Sequence, residues 1–441
     1  MKHTVLFRIL VSFLLLMVVT HEPLRGQQPE PAEEPAGKKG WTFGALPAVA
    51  YNSDEGFRYG ALANFFHYGD GSTYPQYRHS LFMEWSRTTK GNGFNNLFYD
   101  SWYLIPNTRT TIDLLYLTEQ ALNFYGFNGY EVSYEPALED PDDPSYVSRM
   151  YYRHERKLLR FTADFQQLFM QDRLKWIAGM GFFGFQTGPV DLAKLNKGRE
   201  EQDLLPDVPG IYQEYVEKGL IPEDLKTGGN TMFLKAGIIH DTRDIEANPS
   251  RGTWNESFIM AAPSFLGNGN YSYLQLVVIH RHYFSLVPDK LTMANRLGYQ
   301  GKLAGSMPFY MLPFVFSSYK TYDGFGGSKT VRGIIRNRIQ GDGVAYGNFE
   351  FRYKFLQGQV ARQDIYLAVN AFADAAMVVQ KHPVPYLVNG RQPQNDKPHW
   401  AVGGGLRVVL NQNFVVAVDY GQALKKEDGS SGLYIGLGFL F

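Results

Sequence analysis

Apolar and polar side chains alternate along most of this chain, from Trp41 to its last residue. The alternation has the two-residue period of β-strands, and clusters of Gly, Asn, Asp and Ser interrupt it as turns do. We therefore predict an all-β chain of about sixteen strands. The predicted strands are 41–52, 56–68, 76–88, 94–105, 109–130, 152–168, 172–187, 230–242, 252–265, 270–286, 290–304, 343–356, 363–378, 399–410, 413–421 and 432–441.

The connections between these strands divide into long and short ones. If the first turn lies outside, the opposite side receives mainly short turns, such as 171–173. The long connections that then lie outside are 131–150, 188–229, 305–342 and 379–398. Outer-membrane barrels share this asymmetry and have an even number of strands. We predict a transmembrane antiparallel β-barrel over residues 41–441.

Two strands indicate which side chains face lipid. One face of 343–356 carries Phe349, Phe351, Tyr353 and Phe355, and the other carries Asn348, Glu350, Arg352 and Lys354. The last strand places Leu433, Ile435, Leu437, Phe439 and Phe441 on one face. An apolar outside and a polar inside are typical of a membrane barrel, although a soluble sandwich alternates in the same way. The loop asymmetry, the terminal aromatic residue and the amino terminus favour the membrane.

The amino terminus has the features of an export signal. Lys2 and Arg8 accompany an apolar core at 9–19, and Gly26 offers a cleavage point, so we predict a signal peptide over 1–26. Residues 27–40 are rich in Pro and Glu and are predicted to form a disordered linker. No later segment is apolar for long enough to form a membrane helix. A bacterial outer-membrane location, reached through a cleaved signal peptide, therefore requires a barrel.

Composition excludes several classes of function. Lys+Arg and Asp+Glu are equal at 43, so no basic field favours a nucleic-acid partner. The absence of cysteine excludes disulfides and cysteine-based zinc sites. The chain lacks the Gly-x-Ser-x-Gly pentapeptide of patatin-like lipases, and His280 and His282 share a strand face without a third histidine or a paired carboxylate. We predict no enzymatic activity, no metal and no cofactor.

One glycine-rich stretch stands out, Gly-Gly-Ser-Lys-Thr-Val-Arg-Gly at 326–333. Its glycines permit positive φ and close backbone contact, so the segment folds tightly and presents one long side chain, Arg332. A phosphate-binding loop needs glycine directly before the lysine, and Ser328 at that place excludes this interpretation. A glycine-rich surface turn with an incidental arginine remains open on these residues alone.

The stretch resembles the Val-Arg-Gly-aromatic signature of the bacterial surface antigen superfamily, the BamA/TamA-like outer-membrane barrels. Ile334 stands where the family usually has Phe or Tyr. Asp-Thr-Arg-Asp at 241–244 with Pro-Ser-Arg-Gly at 249–252, and the strands around 347–352 and 373–375, also resemble this family. The similarity is strongest over 235–441. The residues of the loop motif are Gly326, Gly327, Val331 and Gly333.

The resemblance implies a loop that folds into the barrel, with Arg332 contacting Glu350 and Asp374. An arginine between two carboxylates forms charge-assisted, bidentate hydrogen bonds, and both carboxylates lie on polar strand faces. The alternative is that Glu350 pairs only with Arg352 or Lys354 and never meets Arg332. A last strand that includes Phe439 and ends at Phe441 also resembles the sorting signal that delivers barrels to their assembly machinery. That machinery and the outer-membrane lipids are the partners implied.

The family usually carries periplasmic POTRA modules, and only 27–40 precede the predicted barrel. We therefore expect a short member that lacks these modules. The first hypothesis is protein or lipid export or insertion at the outer membrane, with a periplasmic partner that supplies them. The alternative is a non-catalytic surface barrel whose loops 131–150, 188–229 and 379–398 bind external partners.

Overall fold

The computed structural model describes residues 38–74, 76–170, 173–360, 363–384, 395–410 and 414–441. The predicted signal peptide and the predicted linker up to residue 37 lie outside these residues. Within the described ranges, no helix is both long and apolar enough to cross a bilayer.

Sixteen strands form a closed antiparallel barrel, in which each strand pairs with its neighbours in the chain and the first pairs with the last. These barrel strands are β1 Trp41–Asn52, β2 Gly56–His67, β3 His79–Thr88, β4 Gly93–Ile105, β5 Thr108–Asn123, β6 Arg153–Met170, β7 Leu174–Gly188, β8 Gly228–Asp241, β9 Gly252–Ala262, β10 Tyr273–Val287, β11 Leu291–Gly305, β14 Gly343–Val360, β15 Gln363–Gln380, β16 His399–Leu410, β17 Phe414–Ala423 and β18 Ser431–Leu437. A separate small sheet consists of β12 Phe314–Phe316 and β13 Thr321–Asp323. The predicted strand number and order are confirmed.

The alternation places side chains as predicted on β14. Phe349, Phe351 and Phe355 lie on the outer face and are about half exposed, at 48%, 50% and 48%. Asn348 and Glu350 point into the barrel and are fully buried. Because protein fills the lumen beside β14, the polar face of this strand is buried instead of lining open water. The lipid-out, lumen-in interpretation of this strand is confirmed.

The long connections lie at one end of the barrel, which we call the long-loop end. They are 124–152, 189–227, 306–342 and 381–398, whereas the connections at the opposite end are shorter, the longest being 68–78 and 242–251. The long connections contain the helices α1 Leu192–Asn196 and α2 Ile211–Glu217 and the 3-10 turns Gly129–Glu131, Pro136–Glu139, Glu201–Asp203 and Phe309–Met311. A further 3-10 turn, Ser264–Leu266, lies in the connection from β9 to β10.

The strand predicted over 109–130 was too long, because β5 ends at Asn123. The next residues contain Gly126 and Asn128 at positive φ, a backbone conformation that interrupts a strand ladder. Phe124 and Phe127 instead form edge-to-face pairs with Tyr215 of α2, at ring distances of 5.3 and 5.6 Å. These aromatic contacts give the long loops their own core at the end of the barrel.

The end of the last strand was also predicted wrongly. β18 ends at Leu437, and Gly438, at a φ of 84°, turns the chain into the lumen. The guanidinium of Arg352 lies 4.3 Å from the ring of Phe439 and 5.3 Å from that of Phe441. Cation–π attraction to this arginine therefore replaces the lipid contact predicted for both rings.

The sorting role of Phe441 remains a prediction. The position of its ring beside arginines in the lumen helps to separate an effect on assembly from an effect on stability. In Phe441→Asp the carboxylate would lie beside Arg296 and Arg352, whose guanidiniums are 5.0 and 5.3 Å from the present ring. We expect folded protein in the outer membrane to fall several-fold while the urea midpoint of purified protein changes little. A normal membrane level of this variant would contradict the sorting role, and Phe355→Asp on the outer face is the comparison that should lose stability instead.

Candidate functional site

The connection 306–342 folds into the barrel and fills part of its lumen; we call it the inner loop. Its apolar residues Val331 and Ile334 are fully buried. They pack in one cluster with Val344 of β14 and Val378 of β15. The inner loop is therefore held against the β14–β15 wall by ordinary core packing before any charge is considered.

Glycine allows the inner loop to approach the wall closely. Gly326 and Gly333 have φ values of 102° and 96°, which other residues rarely adopt. A Cβ on Gly333 would lie 2.7 Å from the backbone of Gly421 on β17, so a side chain there would push the loop away. These contacts explain why glycine stands at both positions.

Arg332 lies between two carboxylates of the wall. Its Nε and Nη2 donate to Asp374 Oδ2 and Oδ1 at 2.8 and 3.0 Å, and its Nη1 donates to Glu350 Oε1 at 2.5 Å. Its backbone N–H also donates to Asp374, at 3.0 Å. The ring of Phe372 lies 3.5 Å from the guanidinium carbon. The three charged residues are fully buried.

The electrostatics of this contact favour a permanently charged arginine. Removal from water opposes the charge, but Asp374 and Glu350 outweigh that effect and raise the pKa of Arg332 above its ordinary value. Glu350 also accepts from Arg352 Nε at 2.8 Å, so it contacts both arginines considered for it. A lysine could not form the two parallel hydrogen bonds to Asp374. The arrangement joins the loop to two adjacent strands in one geometry.

Two further arginines of the inner loop were missed by the sequence analysis. Arg336 Nη1 lies 2.8 Å from both Glu55 and Glu119, which belong to the β1–β2 turn and to β5. Arg338 donates to the carbonyls of Gly129 and Val132 at 2.9 and 2.8 Å. Their closeness to Arg332 in the sequence could have indicated that they also anchor the inner loop. Their partners lie more than 200 residues away in sequence and could not be assigned without the fold.

The junction between β1 and β18, which we call the seam, is zipped at one end only. β1 pairs with β2 along its whole length. It pairs with β18 at only two register positions, Tyr51↔Ile435 and Asn52↔Tyr434. The inward turn after Leu437 removes from the ladder the residues that would continue the pairing.

The sequence of β1 also weakens the seam. Pro47 lies in the part of β1 that has no partner on the β18 side and has no N–H to donate. Trp41 and Phe43, in the same part, are 65% and 75% exposed on the outer surface. An edge strand with open backbone groups is a template for pairing with another chain. The seam is thus the place where this barrel is easiest to open.

The inner loop contacts both sides of the seam at its zipped end. The backbone N–H of Gly333 donates to the hydroxyl of Tyr434 on β18, at 3.0 Å. The backbone N–H of Arg336 donates to Asp54 Oδ1 in the β1–β2 turn, at 3.2 Å. Arg332 and Arg336 therefore fix a short stretch of loop that bridges β18 and the end of β1. Movement of this stretch would remove support from the seam.

The two histidines that the sequence analysis considered and rejected as metal ligands lie away from this site. His280 and His282 are on the outer face of β10, where the ring of His282 lies 3.6 Å from that of Phe284. His280 Nδ1 lies 2.5 Å from Asn255 Oδ1. Both histidines belong to the lipid-facing surface and not to the lumen.

We predict that Arg332→Ala releases the inner loop. The change leaves Glu350 and Asp374 without their shared cation, which costs about 3–5 kcal/mol at a buried site. The loop should become protease-sensitive from outside, and ion conductance in planar bilayers should rise. Adding Arg332→Ala to Glu350→Gln with Asp374→Asn should change little more, because coupled residues are not additive.

The matched control for this prediction is Arg149→Ala, since Arg149 is exposed on a long loop. It should leave protease protection and conductance unchanged. Full additivity of the three changes at the wall, or unaltered loop protection, would show that Arg332 does not hold the loop.

Comparison with known proteins agrees with this architecture. The Omp85 superfamily domain matches residues 79–441. BamA from Haemophilus ducreyi lacking POTRA domains 1–3 is similar at 16% identity and a TM-score of 0.53, covering 91% of this chain and 71% of that one. CdiB from Escherichia coli is similar at 10% identity and a TM-score of 0.54, covering 91% and 63%.

At these identities the two structures support the fold alone, and this chain spans less than two thirds of CdiB. No curated protein matches the chain by sequence. The superfamily match covers most of the residues, including the inner loop, the β14–β15 wall and β18, whereas β1 precedes it. The resemblance to BamA/TamA-like outer-membrane barrels is confirmed, and the chain belongs to the Omp85 superfamily.

Proposed function

We propose that this barrel moves hydrophobic or unfolded cargo between its lumen and the outer-membrane bilayer through the seam, with the inner loop as the lock. The observation that carries the proposal is the pairing of β1 with β18 at only two register positions. Protein insertion or export and lipid insertion are the two forms that this transport takes. The signal peptide, cleaved on export, remains part of the proposal.

The physical argument begins with the open edge of β1. Backbone N–H and C=O groups that meet hydrocarbon without a partner each cost several kcal/mol. A partly unpaired β1 therefore favours either a supplied partner strand or a polar passage at the seam. The other junctions between neighbouring barrel strands have at least seven register pairs each and provide no comparable opening.

The inner loop supplies the control in this proposal. Its contacts with Tyr434 and Asp54 hold the seam at the long-loop end, and Arg332 fixes the loop itself. A periplasmic partner that engages the short-turn end would act on the unzipped part of the seam, where β18 has ended. We place the long-loop end outside the cell, as in other outer-membrane barrels.

The surface-barrel alternative makes a different prediction for the seam. It assigns function to the long loops, so that joining β1 to β18 covalently should have no effect on function. Affinity isolation from native membranes separates the two: a periplasmic protein with POTRA-like modules supports transport, and extracellular contacts alone support the surface role.

We predict that a disulfide across the seam abolishes transport. The chain has no cysteine, so Tyr51→Cys with Ile435→Cys, which face each other in register, introduces a single possible bridge. Vesicles containing the reduced protein should take up an urea-unfolded outer-membrane barrel faster than empty vesicles. Oxidation should return the rate to that of empty vesicles, and reductant should restore it.

The matched control joins β1 to its other neighbour. Phe43→Cys with Phe65→Cys lies in the fully paired β1–β2 ladder and on the outer face. Its oxidation should leave the rate unchanged. Equal rates for the oxidised and reduced seam variant would contradict the seam as the route, and no acceleration by the reduced protein would contradict protein insertion.

A further inference from the structure

A cavity of about 560 Å³ lies between the inner loop and the wall that includes β1–β5, β17 and β18. This volume is in the range of small-molecule sites. The cavity reaches the seam, because residues 48–52 of β1 and 434–437 of β18 line it. Arg332, Glu350 and Asp374 do not line it, but the cavity adjoins the lock, since Asp419, 3.5 Å from Arg332 Nη1, and Tyr434 lie in its wall.

The barrel side of the cavity carries large apolar side chains. They lie on the inner face, since they alternate with outward residues and share that face with Arg58, Glu84 and Asn96. They are Leu62, Phe82, Phe94 and Phe98, and each is only partly buried. The interior of a membrane barrel is usually polar. An apolar wall that faces an internal space is a candidate binding surface for an apolar ligand.

The loop side of the cavity carries unpaired positive charge. Among the described residues, neither Lys320 nor Lys329 forms an ion pair with a carboxylate, although both line the cavity. The arginines of the cavity differ, because Arg58 pairs with Glu84 and Arg160 with Asp113. The loop side of the cavity therefore carries two ammonium groups that form no ion pair with a carboxylate of the described residues.

Lys329 is exposed to the cavity but surrounded by the barrel. Removal from bulk water and the neighbouring Lys320 ammonium together lower the pKa of Lys329 to about 8. An anion placed between these lysines would relieve their mutual repulsion. The cavity therefore combines an apolar side with an anion-binding side.

We propose that this cavity binds a membrane lipid with an anionic phosphate headgroup, its acyl chain against Leu62, Phe82 and Phe98 and its phosphate beside Lys320 and Lys329. The separation of apolar and cationic sides fits an amphiphile with one charged end. On the apolar side, β2–β5 are paired on both edges and offer no free backbone groups to an extended polypeptide, whose pairing site would be the open edge of β1 at the seam. The inference rests on the proposed function only in taking the seam as the route by which the lipid enters the cavity.

Two neighbouring positions on β3 provide the test. Replacing Phe82 by photoreactive benzoylphenylalanine puts the probe in the cavity, and the same replacement of Met83, which is 45% exposed on the outer face, puts it against bulk lipid. In vesicles of phosphatidylglycerol or phosphatidylcholine, the probe at Phe82 should capture phosphatidylglycerol at least several-fold better. The probe at Met83 should capture both lipids equally.

Charge variants test the headgroup site. Lys320→Ala with Lys329→Ala should reduce phosphatidylglycerol capture at Phe82 about tenfold, whereas Lys197→Ala, on an exposed loop, should not change it. Excess inorganic phosphate should not displace the lipid if the acyl chain contributes. Displacement by phosphate alone would overturn the lipid assignment in favour of a free phosphate site.

The remaining outcomes separate this inference from the proposed function. No lipid captured at Phe82, equal capture of both lipids, or capture of an added unfolded polypeptide instead would overturn the lipid site, whatever the seam does. If oxidation of the Tyr51→Cys, Ile435→Cys variant leaves capture at Phe82 unchanged, the lipid site stands and the seam is not its route. Loss of capture on oxidation supports both.

Discussion

The ion pairs between the buried guanidinium of Arg332 and two carboxylates are the interaction on which the packing of the barrel interior depends. A charge that has left water needs opposite charge and hydrogen bonds in a fixed geometry, and Asp374 and Glu350 provide both. Once that arginine is fixed, Gly333 lies against β17 and its N–H reaches Tyr434. Arg332, together with the apolar packing of Val331 and Ile334, therefore fixes how a long connection fills the lumen.

The same anchorage gives the barrel its asymmetry. The inner loop packs against the β14–β15 wall, while a cavity remains beside β1–β5. The seam lies between these two regions and is zipped only where the loop supports it. A barrel closed by full ladders everywhere would have no preferred place to open. Here the weak junction, the lock and the cavity lie next to one another, and the proposed transport would use all three.

Sequence periodicity was sufficient for most of the fold, since a two-residue alternation follows directly from strand geometry. It identified the strands and the outer face of β14. It could not locate the end of β18, because Phe439 and Phe441 continue the apolar alternation while the chain itself turns at Gly438. A cation–π contact with Arg352 is a long-range interaction that leaves no trace in local pattern.

The site was only partly accessible from sequence for a similar reason. The glycines and Arg332 form a compact motif, and polar faces suggested Glu350 and Asp374 as partners. The bridge from Arg336 to the β1–β2 turn joins Glu55 to a loop 281 residues later. The weak β1–β18 register and the apolar inner wall of β2–β4 likewise emerge only when the barrel closes.

The most direct measurement of the central claim is the distance across the seam. Spin labels at Val49→Cys and Leu437→Cys, both half exposed on the outer face, would report it by pulsed electron resonance in bilayers. Labels at Leu406→Cys and Val418→Cys, which pair in the β16–β17 ladder, are the control. If the inner loop locks the seam, Arg332→Ala with Arg336→Ala should lengthen and broaden the seam distance and leave the control distance unchanged. A seam distance that stays the same in this double variant would contradict the account.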